Sequence, residues 1–457
     1  MQDTPVQHKV EETLRLRHPY DPELPENERS FAPYVHETEV ARAFGSRDIP
    51  KLAALLSSSP SDENISASLS ILLDILSTQE EKEVAAKSII TSCTKLLGHA
   101  DGTIRRKAAE AVGFLALSQS ARDEFTVATF SSFINLLKDS ASSGIREAAA
   151  LCVKNITQFS DGCQRLISGE TYVDTICAAA CDGFAGDSPA SPDVVYYLIS
   201  AIVSITHHTY GVERLLQNDT AVDQILDAFA FARPGLERKC LNALWNITQT
   251  LEGKERTIKA VGKICEYLNR EGHVLRCALG ALHGIVINEK GKRSLAEASK
   301  ETLECICAAL YHSDGGISTN ASNCILAASE YLPAKERFVS MIMKDCEMLL
   351  KVLGTGCCKQ IVKYLADEDA QRRFWACKAA KQLAGENDAF LGCLHSVERL
   401  AALLGDADEG CKACAESVLA KLCSVNRSAA KRVRKYIATR ASFSVQKAFS
   451  NTSILCD

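Results

Sequence analysis

Nine segments of the chain repeat one pattern at intervals near forty residues, and such a chain is constrained to fold as an array. The clearest copies are IRRKAAEAVGFLA (104 to 116), IREAAALCVKNIT (145 to 157), LERKCLNALWNIT (236 to 248), VLRCALGALHGIV (274 to 286) and ISTNASNCILAAS (317 to 329). Each has an aliphatic start, small residues in the middle, and apolar residues eight and eleven places on. Weaker copies start at residues 64, 194, 372 and 411. Taking the eighth-step residue as anchor gives Leu72, Val112, Val153, Ile202, Leu244, Leu282, Ile325, Ala380 and Leu419, separated by 40, 41, 49, 42, 38, 43, 55 and 39 residues. The apolar spacing inside each copy is helical. A unit of this kind cannot bury its apolar face alone, so neighbours must stack into one continuous core.

Within a unit the small-residue helix follows a leucine-rich one, as in IPKLAALL, FSSFINLL, VDQILDAF and VERLAALL, across polar turns such as GHADGT, KDSASSG and YHSDGG. After it comes a short third segment: DGCQRLI, YGVERLL, EGKERTI or KGKRSLA. A helical pair led by a short helix resembles the armadillo repeat. The resemblance implies an all-α, right-handed solenoid of about nine repeats over residues 39–425, whose anchor helices line a concave binding surface. The two long steps hold insertions at 181–193, a Gly/Pro/Ser loop, and at 333–360, an extra helix followed by a glycine hinge.

Composition agrees with packed helices: 46% of residues are hydrophobic and only 6% aromatic. A net charge of -5 gives no whole-chain case for nucleic-acid binding. No stretch reaches the roughly 18 apolar residues of a membrane span, and the polar start does not read as a signal peptide. The expectation is a soluble intracellular protein in which the twenty cysteines are reduced. Cys152, Cys240, Cys277, Cys324 and Cys377 fall inside helical patterns as small apolar residues. The CxxC of Cys411 and Cys414 lacks a second ligand pair at zinc spacing, so no metal or cofactor is expected.

Peptide-reading armadillo proteins such as nuclear import adaptors carry an asparagine two places after the anchor, for peptide backbone, and a tryptophan two before it. Here the plus-two positions hold only Asn155 and Asn246, and the minus-two positions hold no tryptophan. Trp245 stands one place after its anchor and is expected to pack between units. Asn155, Asn246 and Trp245 are therefore the candidate groove residues, without a full ladder behind them. No P-loop, HExxH, GxSxG or dinucleotide fingerprint is present, and no catalytic residue is assigned. His207 and His208 lie where a helix ends and read as partners for its C-terminal charge.

The ends differ from the repeats. Residues 1–38 carry Pro5, Pro19, Pro22, Pro25 and Pro33 among charges and are expected to form an extended arm. Residues 426–457 concentrate Arg427, Lys431, Arg432, Arg434, Lys435 and Arg440, either as the polar outer cap of a terminal repeat or as a dock for an acidic protein surface such as tubulin.

Between the arm and the first repeat, EVARAFGSRDIPKLAALL (39 to 56) resembles the opening of the radial spoke head protein 14 family of cilia and flagella. It does so through Ala41, Ala43, Phe44, Gly45, Arg47, Ile49, Lys51 and Leu52. The EGK at 252 to 254 and the KGK at 290 to 292 also suit that family. The resemblance implies a non-catalytic structural subunit of the ciliary axoneme, held by radial spoke or other axonemal proteins, with neither nucleic acid nor membrane as partner. The alternative is a soluble cytoplasmic armadillo adaptor that binds peptide segments of signalling or transport partners.

Overall fold

The computed structural model of the chain describes residues 48–58, 61–76, 79–181, 191–384, 388–393 and 395–440. All regular elements among them are helices, and none is long and apolar enough to cross a membrane. The arm, most of the 39–56 opening up to residue 47, the loop at 182–190 and the tail beyond residue 440 lie outside the described residues. Packing divides the chain into two units. The first runs to Gln224 and takes in Ala230–Arg233; the second holds Ile225–Phe229 and continues from Pro234.

The first unit opens with α1 (Asp48–Ser57), α2 (Asp62–Ile75), α3 (Gln79–Leu96) and α4 (Gly102–Leu115). Two triplets follow: α5 (Gln119–Asp123), α6 (Val127–Leu136) and α7 (Ser143–Thr157), then α8 (Ser160–Ile167), α9 (Tyr172–Ala180) and α10 (Pro192–Thr206). Next come α11 (Thr209–Leu216) and α12 (Ala221–Asp227), which carries the chain across the division.

The second unit begins with α13 (Leu236–Ile247) and the triplet α14 (Leu251–Arg256), α15 (Val261–Cys265) and α16 (Gly272–Val286). A second triplet is α17 (Glu289–Ala296), α18 (Lys300–Ala309) and α19 (Gly315–Ala328). Four helices make the next repeat: α20 (Leu332–Ile342), α21 (Cys346–Leu353), α22 (Cys358–Tyr364) and α23 (Ala370–Leu383). The last triplet is α24 (Asp388–Leu391), α25 (Ser396–Ala402) and α26 (Glu409–Val425), and α27 (Arg427–Arg440) closes the described chain.

All nine anchors lie on the last helix of their repeat, and every one has no exposed surface. Burying each leucine, isoleucine or valine among them contributes about 2 kcal/mol. In the first unit α2, α4, α7 and α10 pack in succession; in the second, α13, α16 and α19 do so, and α23 packs on α26. The polar turns start these helices. Asp101, Ser142, Ser191, Asp314, Asp369 and Asp408 each accept a hydrogen bond from a backbone N–H of the first turn, at 2.6 Å for Asp101 with Thr103 and 2.7 Å for Asp408 with Cys411.

Two devices join one repeat to the next. Nine places after the anchor stands Gly162, Gly211, Gly253 or Gly291, packed against the backbone carbonyl of Ile156, Ile205, Ile247 or Ile285 respectively. A methyl added at Gly162 would stand 2.5 Å from that oxygen, and at the other three closer still. The glycine of DGC, YGV, EGK and KGK is thus demanded by the close approach of the short helix to the helix before it. The second device is arginine. Arg165 donates to the carbonyl of Arg122 (2.6 Å), Arg214 to that of Glu170, Arg337 to that of Ala296, and Arg432 to that of Leu391 (3.0 Å). Each reaches from one short helix to the chain at the preceding one, where helix-end carbonyls favour a cation.

Residues 333–360 interrupt this regularity. They form most of α20, then α21, then a tight turn at Gly354, whose φ is +53°. Helix α21 packs against α19, α20 and α23, standing between last helices of the kind that α13 and α16, or α16 and α19, bring together directly.

Candidate partner-binding site

The final helices of the repeats present the residues tested for peptide recognition, and the structure places those residues in three different situations. Asn155 is buried on α7, and its Nδ2 donates 2.9 Å to the backbone carbonyl of Gly113 on α4. The missing side chain at Gly113 lets the two helices come close enough for that bond. Its amide therefore ties two repeats together. Asn155→Ala should lower stability by about 1.5 kcal/mol, because the Gly113 carbonyl is left without its donor; urea unfolding followed by circular dichroism checks this.

Asn246 on α13 is half-buried and already engaged. Trp245 packs between two neighbouring repeats of the second unit, its indole lying where a side chain at Gly280 of α16 would have to go. Its open side borders a cavity of about 240 Å³ with Arg238, Lys239, Asn242, His273 and Arg276. That small basic pocket lies entirely within the second unit.

In the terminal helix Arg432 is drawn into the fold. Its guanidinium meets Glu398 of α25 at 2.8 and 3.2 Å besides the Leu391 carbonyl, and holds that carboxyl below its ordinary range. It occupies the place of Arg165, Arg214 and Arg337, so α27 is built as the short helix of a further repeat. Arg427, Lys431, Arg434 and Lys435 are exposed on it, and the side chain of Arg440 lies outside the described residues.

The most distinctive cluster falls in the first unit, at positions the two-place test around each anchor does not reach. Glu147 of α7 is half-buried, near Glu110 of α4 and Asp193 of α10, with Arg106 and Arg233 also close. Burial, then repulsion from Asp193 and Glu110, pushes its carboxyl pKa up. The neighbouring cations are already committed: Arg106 pairs with Glu110 at 3.0 Å and Arg233 with Asp193 at 2.5 Å. Glu147 makes no ion pair among the described residues. Beside it Tyr196 and Tyr197 stand edge to face, with ring centroids 6.0 Å apart; the Arg233 guanidinium lies 4.9 Å from the Tyr196 ring and Lys154 Nζ 5.4 Å from that of Tyr197. A carboxylate without an ion pair, with the Tyr197 ring nearby, fits the cationic side chain of another protein. The signal was present in the spacing: Glu147 and Tyr196 both sit six places before their anchors.

Among the described residues no group of three histidine, cysteine, aspartate or glutamate side chains is arranged to hold a metal ion. The 333–360 segment borders a cavity of about 660 Å³ lined by Lys300, Arg337, Lys344, Arg372 and Trp375 among others, with the indole nitrogen of Trp375 buried and without a hydrogen-bond partner.

No protein-family model matches the chain, and no curated protein matches it. Solved structures do. An engineered protein, 19% identical, aligns over 88% of this chain and 97% of its own with a TM-score of 0.55. The fold is an all-α solenoid of stacked helical repeats. Computationally designed armadillo repeat proteins for modular peptide recognition align over 61% of the chain at 19% identity and a TM-score of 0.37. UNC-45 from Drosophila melanogaster aligns over 87% of this chain and 55% of its own at 14% identity and a TM-score of 0.46.

Proposed function

We propose that the chain is a non-catalytic armadillo scaffold that receives a basic side chain of a partner protein at Glu147. One observation carries this reading: among the described residues the half-buried Glu147 makes no ion pair, while the nearby Arg106 and Arg233 are paired with Glu110 and Asp193. Such a group costs the fold stability whenever it is ionised. Because its pKa in the folded state lies above the ordinary 4.5, the cost is absent well below that value and fully present once pH exceeds the folded value. Glu147→Gln should therefore raise the unfolding temperature at neutral pH and leave it unchanged near pH 3, while weakening partner binding. Equal stability of both proteins at neutral pH would remove the argument that this carboxylate is kept for recognition.

We further place the scaffold in the ciliary axoneme, as a radial spoke subunit with spoke proteins or tubulin as partners. Support comes from the opening at 39 to 56, since the glycines of EGK and KGK answer to packing and carry no family information. Fractionation of ciliated source cells tests this placement. The protein should remain with salt-resistant axonemes, and recovery wholly in the detergent-soluble cell body would favour the soluble adaptor. In either setting Asn246→Ala should leave partner affinity within about tenfold, or about 1.4 kcal/mol, as one neutral hydrogen bond would.

A further inference from the structure

Six places before the anchor stand Arg106 on α4, Glu147 on α7 and Tyr196 on α10 in the first unit, and Arg238 on α13 and Arg276 on α16 in the second. Arg106 finds its counter-charge one helical turn on, in Glu110 at 3.0 Å. The same step leads from Arg238 to Asn242 and from Arg276 to Gly280, whose side-chain space the Trp245 indole fills. Among the described residues the side chains of Arg238 and Arg276 make neither an ion pair nor a hydrogen bond. Asp314 lies near Arg276, but its carboxylate accepts from the backbone N–H groups of Gly316 and Ile317, at 2.7 and 3.3 Å. Both arginines border the cavity of about 240 Å³ beside Trp245, together with Lys239, Asn242 and His273, and no acidic side chain lines it. We propose that this pocket is a binding site for a phosphorylated serine or threonine side chain of a partner protein, with Arg238 and Arg276 holding the phosphate.

Charge decides the class of ligand. Lys239 is already engaged within the fold, which leaves two guanidinium groups for whatever enters. A phosphate monoester carries close to two negative charges at neutral pH and offers three strong acceptor oxygens, so it matches both arginines; a single carboxylate would leave one unmatched. The planar N–H fork of arginine suits phosphate oxygens better than the point charge of a lysine does. Arg276 is also held in place before any ligand arrives. Gly316 at the start of α19 leaves room for its guanidinium, since a Cβ there would stand 2.8 Å from Cζ, and the Arg276 backbone carbonyl accepts from Asn320 Nδ2 at 3.1 Å. Less of its side-chain freedom is then lost on binding. The Trp245 indole offers apolar surface to the carbon stem of the phosphorylated residue. This site takes an anion where Glu147 takes a cation, and it uses none of the residues around Glu147.

The test uses the purified full chain, folded by circular dichroism, and a degenerate library of immobilised phosphoserine and phosphothreonine peptides. The same library is presented unphosphorylated and with glutamate at the modified position. Peptides that retain the chain are then labelled and titrated by fluorescence anisotropy. At least one phosphopeptide is expected to bind about tenfold or more tightly than both its unphosphorylated and its glutamate forms. Arg238→Gln and Arg276→Gln should each weaken that binding about tenfold, whereas Lys351→Gln, the same charge change on the exposed surface of α21, should leave it unchanged. Arg238 is exposed, so Arg238→Gln reads binding even where Arg276→Gln, packed on Gly316, also lowers stability. Retention no better for phosphorylated than for unphosphorylated peptides, equal affinity for the glutamate form, or undiminished affinity in Arg238→Gln overturns the proposal.

Discussion

Gly253→Ala is expected to cost about 3 kcal/mol, because its new methyl would collide with the Ile247 carbonyl and force the start of α14 away from the end of α13. The backbone oxygen cannot move without breaking the last turn of α13. In a stacked array the loss falls on the interface between neighbouring repeats, so proteolysis near residues 248 to 257 should accelerate before global unfolding. Gly262 supplies the control. It lies on α15 with open space where a Cβ would go, and Gly262→Ala should be neutral or stabilising by about 0.5 to 1 kcal/mol. Equal destabilisation by both substitutions would show that helix propensity, and not close approach, governs these glycines.

The second large effect is expected at Arg373. Its guanidinium grips the Asp406 carboxylate at 2.7 and 2.8 Å and the carbonyls of Asp367 and Glu368 at 2.9 and 2.8 Å, with side-chain exposures of only 16% for Arg373 and 7% for Asp406. Arg105 makes the same buckle in the first unit with Asp139 and the carbonyls of His99 and Ala100. Removing the cation leaves a buried carboxylate and two turn carbonyls unpaired, so Arg373→Ala should destabilise by about 3 kcal/mol at neutral pH. The hydrogen bond from Arg373 holds the Asp406 pKa below 3.8 in the folded state. Its contribution is therefore present above 3.8 and lost as pH falls through the lowered value. The stability difference between wild type and Arg373→Ala in denaturation curves should shrink as pH falls from 7 into the acid range. Parallel curves across that range would place the stabilising role outside the ion pair.

The repeat architecture was legible because one physical demand, burying an apolar stripe against the next unit, recurs nine times and leaves the same helical spacing each time. Capping was legible too, since aspartate and serine stand in the turns before the final helices. The site was less so. Asn155 reads as a rung for peptide, yet it bonds inward because Gly113 brings α4 close, and that approach shows only in three dimensions. Arg432 reads as part of a basic dock, yet its spacing from its short helix matches Arg165, Arg214 and Arg337, an internal comparison that identifies it as a joint. Glu147, Tyr196 and Tyr197 are separated along the chain by a whole repeat and converge only when α7 and α10 stack. The 333–360 insertion could be located from its excess length, but the position of α21 between α19 and α23 follows from packing.

Partner recognition at the Glu147 face is the central claim, and charge reversal there is its most direct test. Proteins recovered with the tagged full chain from its own cells should be compared among wild type, Glu147→Lys and Glu213→Lys, the last carrying the same charge change on the exposed surface of α11. The account predicts that at least one partner is retained by wild type and Glu213→Lys and lost from Glu147→Lys, with helix content unchanged in all three. Retention of every partner by Glu147→Lys would contradict it.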